Sequence, residues 1–311
     1  MRARRIVLAI AECALFACSP FLSGQQTEWD RFIAEGDSAS SRKQYAEAEQ
    51  AYRHALQYAT IHLKKDARLS VSSIKLAEAC ETEGKKDEAE GLAHRAMEEL
   101  SEALKRHKPK NASEELMQAD VAVGLLTKAG DLFQANERFG DAETAYQQAI
   151  TIREHYAAWK PATKPNNEDF FRFMAQALSN AQAQVADARD KLGVVYRREQ
   201  KFQQAEEQFQ KSEAIREEVF GPDQPPVAQS LSDLGMCYAL QGHYEQAVPL
   251  YQRVAAILEN SKLRESPEMA AALENYSLVL RKAGKEQEAG PITAKARKLR
   301  SKLQNSPDTP K

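Results

Sequence analysis

The sequence predicts an all-α fold in which about six helix–turn–helix repeats stack side by side as a solenoid. The first observation is composition: strong helix formers dominate, whereas only 13 Gly and 12 Pro occur among 311 residues and cluster at a few breaks. The second is a recurring spacing of small and aromatic residues. The third is the helical period of the apolar residues. An all-β fold would need turn residues at short, regular intervals, so this class is excluded.

The recurring pattern begins with a small residue, and further members follow after nine, three, four and three residues. Its four clear copies are Gly36, Tyr45, Ala48, Tyr52, Ala55; Gly130, Phe139, Ala142, Tyr146, Ala149; Gly193, Phe202, Ala205, Phe209, Ser212; and Gly235, Tyr244, Ala247, Tyr251, Val254. Two copies keep the spacing without aromatic residues, namely Ala77, Lys86, Ala89, Ala93, Ala96 and Ser277, Glu286, Ala289, Thr293, Ala296. Self-similarity of this kind is typical of repeat proteins.

Each position of the pattern has a physical reason. The first small residue lets the second helix of the repeat approach closely, the first aromatic fills the gap between the two helices, and the alanine lies at the crossing. The second aromatic and the last small residue share one helix face and pack against the following repeat. The predicted repeats cover 29–62, 70–107, 123–158, 186–219, 228–260 and 270–303.

The segment between the fourth and fifth repeats resembles the inter-repeat segment of kinesin light chains, a subtype of the tetratricopeptide repeat (TPR). The segment runs from Ile215 to Ala228 as IREEVFGPDQPPVA, and the successive small residues Gly193, Gly235 and Ser277 are 42 residues apart. The general TPR resemblance covers 29–303. It implies a right-handed superhelix over 25–305 whose concave groove, lined by first helices, holds a peptide or a partner helix.

Spacing is longer before the fourth repeat. Apolar residues at helical spacing from Phe170 to Leu192 predict a long first helix at 168–199, after a proline-containing loop at 160–167. We expect one continuous array, because isolated repeats cannot bury their faces, with a domain break at 160–167 as the alternative. The last six residues, 306–311, are polar and predict a disordered tail.

The N-terminus predicts a signal peptide over 1–24, in which three arginines precede an apolar run from Ile6 to Leu22 and cleavage follows Gly24. The stretch Leu15 to Cys18 also resembles a bacterial lipoprotein box, in which Cys18 would become the lipid-modified N-terminus. The chain is therefore expected outside the cytoplasm, periplasmic or secreted. Contact with a membrane is expected only through this signal or a lipid on Cys18.

Catalytic and metal-binding motifs are missing from the sequence. It has no phosphate-binding glycine loop, no GxSxG and no HExxH, and no His or Cys pair has the spacing of metal ligands. We therefore predict no enzymatic activity, no metal and no cofactor. The formal net charge of −2 without a basic stripe argues against nucleic acid as a partner. Cys80 and Cys237 fall in separate predicted helices, so we expect buried free thiols.

The resemblance places a binding groove on the exposed face of the first helices. These positions carry Asp187, Asp190, Arg197, Arg198, Ser232, Met236, Glu274, Asn275, Leu278, Arg281 and Lys282. From this set we select as groove residues Asp190, Arg197, Arg198, Asn275, Arg281 and Lys282.

The basic members of the groove set predict a preference for an acidic peptide, with ordinary surface charge as the alternative. Kinesin light chains often carry paired asparagines here. Only Asn275 remains in this chain, so their cargo specificity is not transferred. The predicted function is an exported adaptor for a partner protein. The alternatives are a lipid-anchored envelope assembly factor and an enzyme with an unrecognised site.

Overall fold

The computed structural model describes residues 27–63, 66–106, 112–157 and 168–304, with all their side chains except those of 112–117, 156, 157 and 168–175. The predicted signal, the loop at 160–167 and the tail lie outside these residues. Twelve helices and no strand form in the described part of the chain, which confirms the all-α class. They are α1 (Glu28–Ser41), α2 (Tyr45–His62), α3 (Ala67–Thr82), α4 (Lys86–Arg106), α5 (Ala112–Ala135), α6 (Phe139–Ala157), α7 (Glu168–Arg198), α8 (Phe202–Phe220), α9 (Pro225–Leu240), α10 (Tyr244–Glu259), α11 (Pro267–Lys282) and α12 (Glu286–Gln304).

The chain divides into two compact units, Met1–Lys160 and Pro161–Lys311. Unit 1 holds α1 to α6 and unit 2 holds α7 to α12. Consecutive helices pair as repeats 1 to 6, so that repeat 1 is α1 with α2 and repeat 6 is α11 with α12. The predicted long helix is present as Glu168–Arg198, with 31 residues. Continuous stacking across 160–167 stays a prediction.

Every repeat closes with the same turn. The seventh residue after the small residue of the first helix has positive φ, between 60° and 79°, and the next residue donates its backbone N–H back into that helix. In repeat 2 the turn residue is Gly84, and Lys85 N lies 2.9 Å from the Cys80 carbonyl oxygen. Repeats 1, 3 and 4 place Lys43, Glu137 and Gln200 there instead of glycine. This hydrogen bond satisfies a carbonyl at the end of the first helix.

The crossing of the two helices is built on glycine and an aromatic ring. A Cβ atom on Gly36 would lie 2.3 Å from the Tyr52 ring, and one on Gly193 would lie 2.6 Å from the Phe209 ring. Gly130 and Gly235 meet Tyr146 and Tyr251 in the same way. The predicted role of glycine is confirmed, but the ring that contacts it is the second aromatic of the pattern. The first aromatics, such as Phe202, are only partly buried.

Within each unit, repeats stack because the first helix of one repeat packs on both helices of the repeat before it. In unit 2, Met269 and Leu273 of α11 share a buried cluster with Leu231 of α9 and with Val254 and Leu258 of α10. Full burial of a side chain of this size contributes about 1.5 to 3 kcal/mol. Such contacts hold the first helices next to one another, and this arrangement positions the candidate site.

Cys80 and Cys237 are buried free thiols, as predicted. The Ser266 hydroxyl caps α11 by accepting from Met269 N at 3.2 Å, and Pro267 occupies the first helical position, where no N–H donor is needed. Over the described ranges, none of the helices combines the length and the apolar character that crossing a bilayer would take.

Candidate partner-binding face

Three apolar side chains occupy one equivalent position on the first helices of unit 2. Val194, Met236 and Leu278 each directly follow the small residue of the crossing, on α7, α9 and α11. We call these three residues the apolar stripe. Val194 and Met236 are partly buried, whereas Leu278 keeps 52% of its surface exposed. Because the small residue points at the ring of its own repeat, the residue after it points away from the crossing.

An ion pair joins two of these first helices. Arg197 on α7 approaches Asp233 on α9, with 3.1 Å between Nη1 and Oδ1. The guanidinium also lies 5.7 Å from the centre of the Phe209 ring. Asp233 accepts a second hydrogen bond from Gln229 at 2.7 Å. Arg197, predicted as a groove residue, is therefore largely engaged within the protein.

The structure separates the other predicted groove residues into two groups. Arg198, Arg281 and Lys282 are exposed, and Asn275 is partly buried. Asp190, in contrast, is only 7% exposed and binds Arg216 of α8. Burial raises the pKa of Asp190 to about 6 while the charge of Arg216 opposes the rise.

Arg216 extends this contact into a buried network. Its Nη1 atom donates to the Ser230 hydroxyl on α9 at 2.5 Å, and its Nη2 atom lies 2.6 Å from Asp187 on α7. Asp190 thus helps to join α7, α8 and α9 and offers little to a ligand. Its burial depends on a partner 26 residues away, which spacing within one helix could not reveal.

The equivalent face of unit 1 is acidic. Asp37, Glu78 and Asp131 follow the small residues of repeats 1 to 3, where unit 2 has the apolar stripe. Their carboxylates already hold donors, because Asp37 accepts from the Tyr52 hydroxyl at 2.7 Å and from Lys75 at 2.6 Å.

The other two acidic residues are bonded in the same manner. Glu78 lies 2.7 Å from Lys128, and Asp131 accepts from the Tyr146 hydroxyl at 2.6 Å. These three carboxylates are therefore already hydrogen-bonded within unit 1, two of them to lysines. Met236 and Leu278 were among the first-helix positions considered from sequence, but we selected charged residues and one asparagine instead; comparing the residue after each small residue would have found the stripe.

One cluster has the composition of a metal site. Glu49, Cys80 and Glu88 place ligand atoms within 4.8 Å of one another. However, Lys85 lies 2.5 Å from Glu49, and this hydrogen bond contributes most to holding the pKa of Glu49 at about 2. Burial raises the pKa of Cys80 to about 11, so the thiol stays protonated at neutral pH. A metal ion would have to displace the ammonium group, so an ion-pair network accounts better for these residues.

Comparison with known proteins points to one repeat family. Residues 184–260 match the sequence model of the tetratricopeptide repeat. Among solved structures, BtubC (BKLC) from P. vanneervenii is similar with a TM-score of 0.60 and 17% identity, over 92% of this chain and 96% of that one. A putative kinesin light chain with nearly identical TPR-like repeats from Podosopora anserina has a TM-score of 0.55 and 20% identity, over 77% and 98%.

A third similar structure is the apo form of RapI, with a TM-score of 0.54 and 14% identity over 90% of this chain and all 100% of that one. Curated proteins give no match. At these identities the solved structures establish similarity of fold alone.

Proposed function

Because the chain is a tetratricopeptide-repeat protein, we propose that it is a non-catalytic scaffold that binds a partner protein across the first helices of unit 2. The repeat match at 184–260 and the similarity of fold to kinesin-light-chain repeats support a protein or peptide partner. The observation that carries the proposal is the apolar stripe. At the same position unit 1 carries carboxylates that are already hydrogen-bonded within the unit.

The stripe leaves apolar surface exposed in the free protein, and burying this surface against a partner would favour binding. Leu278 is 52% exposed, and full burial of a leucine is worth about 1.5 to 3 kcal/mol. Packed helices lie about 8 to 10 Å apart, and a peptide in the polyproline II conformation advances about 3.1 Å per residue with three residues per turn. A bound strand in this conformation would therefore place every third side chain over the stripe.

Polar groups around the stripe would orient such a strand. Arg198 and Lys282 are exposed at the ends of α7 and α11, and Asn275 lies one turn before Leu278. The two cations favour a partner with acidic residues beside its apolar ones. Long polar side chains that can donate hydrogen bonds, placed beside an apolar surface, are the arrangement expected of a peptide groove.

The test joins the full chain to its partner at a chosen position. A photo-cross-linking amino acid replaces Leu278 in one preparation and Ile61 in another, because Ile61 has similar exposure, 56%, on α2 of unit 1. The expected result is one protein species, identified by mass spectrometry, that is joined from position 278 and not from position 61. Leu278→Asp should abolish its binding, whereas Ile61→Asp should retain it. Equal products from both positions would rule out the unit 2 face.

We also propose that the protein acts outside the cytoplasm. The support is the sequence of residues 1–24 alone, which lie outside the described residues. The mature N-terminus is then Gln25, or a lipid-modified Cys18 if the protein is an anchored assembly factor. Intact mass spectrometry of the protein from its native envelope separates these two outcomes, and a full-length mass that includes Met1 would contradict both.

A further inference from the structure

A groove remains open along the outer side of repeat 6, the last pair of helices described. It lies between α11 and α12, measures about 430 Å³, and we call it the terminal groove. Its lining is mainly polar and includes Ser277, Arg281, Thr293, Arg297, Arg300 and one carboxylate, that of Glu274. In repeat 5 the corresponding surface of α9 and α10 is covered by α11, the first helix of the next repeat. The terminal groove is therefore the place where a helix would pack by the same rule.

The terminal groove has lost the apolar lining of its interior counterpart. The 42-residue shift that relates repeat 5 to repeat 6 puts Thr293 where Tyr251 stands and Arg300 where Leu258 stands. Tyr251 and Leu258 are 1% and 4% exposed beneath α11. A polar lining would be enough to keep an uncovered end soluble. Arginine at three of these positions adds a positive field that solubility does not require.

Part of this charge has no internal counter-ion. Arg300 is held by Glu274, with Nε and Nη2 at 2.8 and 3.0 Å from its two carboxylate oxygens. Lys302 pairs with Glu265 at 2.5 Å, and Lys295 pairs with Glu259. Among the described residues, no carboxylate lies within ion-pairing distance of Arg297, which faces the groove.

An interior junction shows what such an arginine binds. Arg197 and Arg281 occupy the same position, four residues after the small residue of their first helices. Arg197 binds Asp233, a carboxylate on the helix that packs next to it. Arg281 has no following helix in the described chain; its Nη2 atom donates to the Thr293 hydroxyl at 2.5 Å, and its Nε atom lies 3.6 Å from the exposed carboxylate of Glu286 on α12.

We propose that the terminal groove binds an amphipathic helix of a partner protein that carries acidic residues. One carboxylate of this helix binds Arg281 as Asp233 binds Arg197, and a second binds Arg297. The apolar side of the helix faces Ala296, the buried small residue at the floor of the groove. This surface is distinct from the apolar stripe, so the protein has a second docking site that does not depend on the first.

The experiment measures binding of a synthetic helix to the full chain by fluorescence anisotropy. The probe is a 16-residue labelled peptide with leucine at helical spacing on one face and glutamate on both flanks, and a second peptide replaces each glutamate by lysine. We expect binding of the acidic peptide alone. Arg297→Glu should weaken it by at least about tenfold, the scale of one charge-assisted contact.

Lys298→Glu is the matched control. It changes net charge equally at an adjacent exposed residue of α12, so it should alter affinity by less than about twofold, as expected of a charge outside the contact. Leu278→Asp should leave the acidic helix bound, which separates this proposal from the function of the apolar stripe.

Four outcomes would overturn the proposal. The first is equal binding of both peptides, and the second is equal loss from Arg297→Glu and Lys298→Glu, because either indicates unspecific attraction. The third is binding of inorganic phosphate at the groove without binding of the acidic helix. The fourth is binding only after removal of residues 305–311, which would make the chain's own C-terminal segment the occupant.

Discussion

Repeat 2 and repeat 4 solve the same packing problem with different side chains. Repeat 4 crosses its helices with Gly193 beneath the Phe209 ring, whereas repeat 2 uses Ala77 and Ala93, both fully buried. Repeat 6 follows the second solution with Ser277 and Thr293, whose hydroxyl oxygens lie 2.5 Å apart. The two residues at the crossing therefore change together: an aromatic ring is found over glycine, and a smaller side chain is found over alanine or serine.

The two repeats also differ at their turns. Repeat 2 turns at Gly84, and the following Lys85 binds Glu83 within the turn at 2.6 Å and also reaches Glu49 of repeat 1. Repeat 4 turns at Gln200 in the same left-handed conformation, and its Lys201 pairs with Glu199 at 3.1 Å within the turn itself. One backbone geometry is thus supported by several side-chain arrangements, and their free energies can be compared by substitution.

The largest effect should come from the ring of repeat 4. Phe209→Ala leaves a cavity above a glycine that cannot fill it, so the free energy of unfolding should fall by about 3 to 5 kcal/mol. Urea unfolding followed by circular dichroism measures this loss. Phe202→Ala in the same helix is the control and should cost clearly less, because Phe202 is only partly buried. Equal losses would contradict the assignment of Phe209 as the ring of the crossing.

The next prediction concerns substitutions that give repeat 2 the glycine-and-ring crossing of repeat 4. Ala93→Tyr should destabilise the protein by about 1 to 3 kcal/mol, because the ring would meet the methyl group of Ala77. Adding Ala77→Gly should recover part of this loss, even though Ala77→Gly alone costs about 1 kcal/mol. A double-mutant cycle measures the coupling. Strict additivity of the two changes would show that positions 77 and 93 do not share the space at the crossing.

A smaller effect on stability is expected from substitutions of the turn residues. Gln200→Gly should raise the stability by about 0.5 kcal/mol, because relief of the left-handed conformation exceeds the entropy that glycine adds to the unfolded chain. Gly84→Ala should lower it by about 1 kcal/mol for the same reason. Thermal unfolding of the two variants gives the signs. A lower melting temperature for Gln200→Gly would show that its side chain stabilises the turn.

The smallest effect concerns the link from Lys85 to Glu49. Since the pKa of Glu49 lies at about 2, below its ordinary 4.5, its contribution is present above pH 4.5 and is lost as the pH falls towards 2. Glu49→Gln should flatten this part of the stability profile by a few tenths of a kcal/mol, because Lys85 is largely exposed. Glu102→Gln, in an exposed pair with Lys105, is the control and should change little. Identical profiles for both variants would show that the link adds nothing.

Sequence alone predicted the helices and the glycine crossings, because both depend on spacing within about twenty residues. The start of α7 at Glu168 and the turn at Gly242 follow from such local signals. The burial of Asp190 could not be predicted from local signals, because it depends on Arg216 in another helix and on Ser230 in a third. For the same reason the groove set selected from sequence contained one buried residue, Asp190.

The tyrosine hydroxyls couple the interior of a repeat to its outer face. In repeats 1 and 3 the rings at the crossing are Tyr52 and Tyr146, and burial together with the adjacent Asp37 or Asp131 raises the pKa of each phenol. Repeat 4 has Phe209, which carries no hydroxyl and needs no acceptor. The residue that follows its small residue can therefore be apolar, and it is Val194. To graft the apolar stripe onto unit 1 it is therefore better to exchange ring and neighbour together: Asp131→Leu alone would leave the Tyr146 phenol with the longer contact to Gln134 at 3.3 Å, whereas its combination with Tyr146→Phe removes the need for an acceptor.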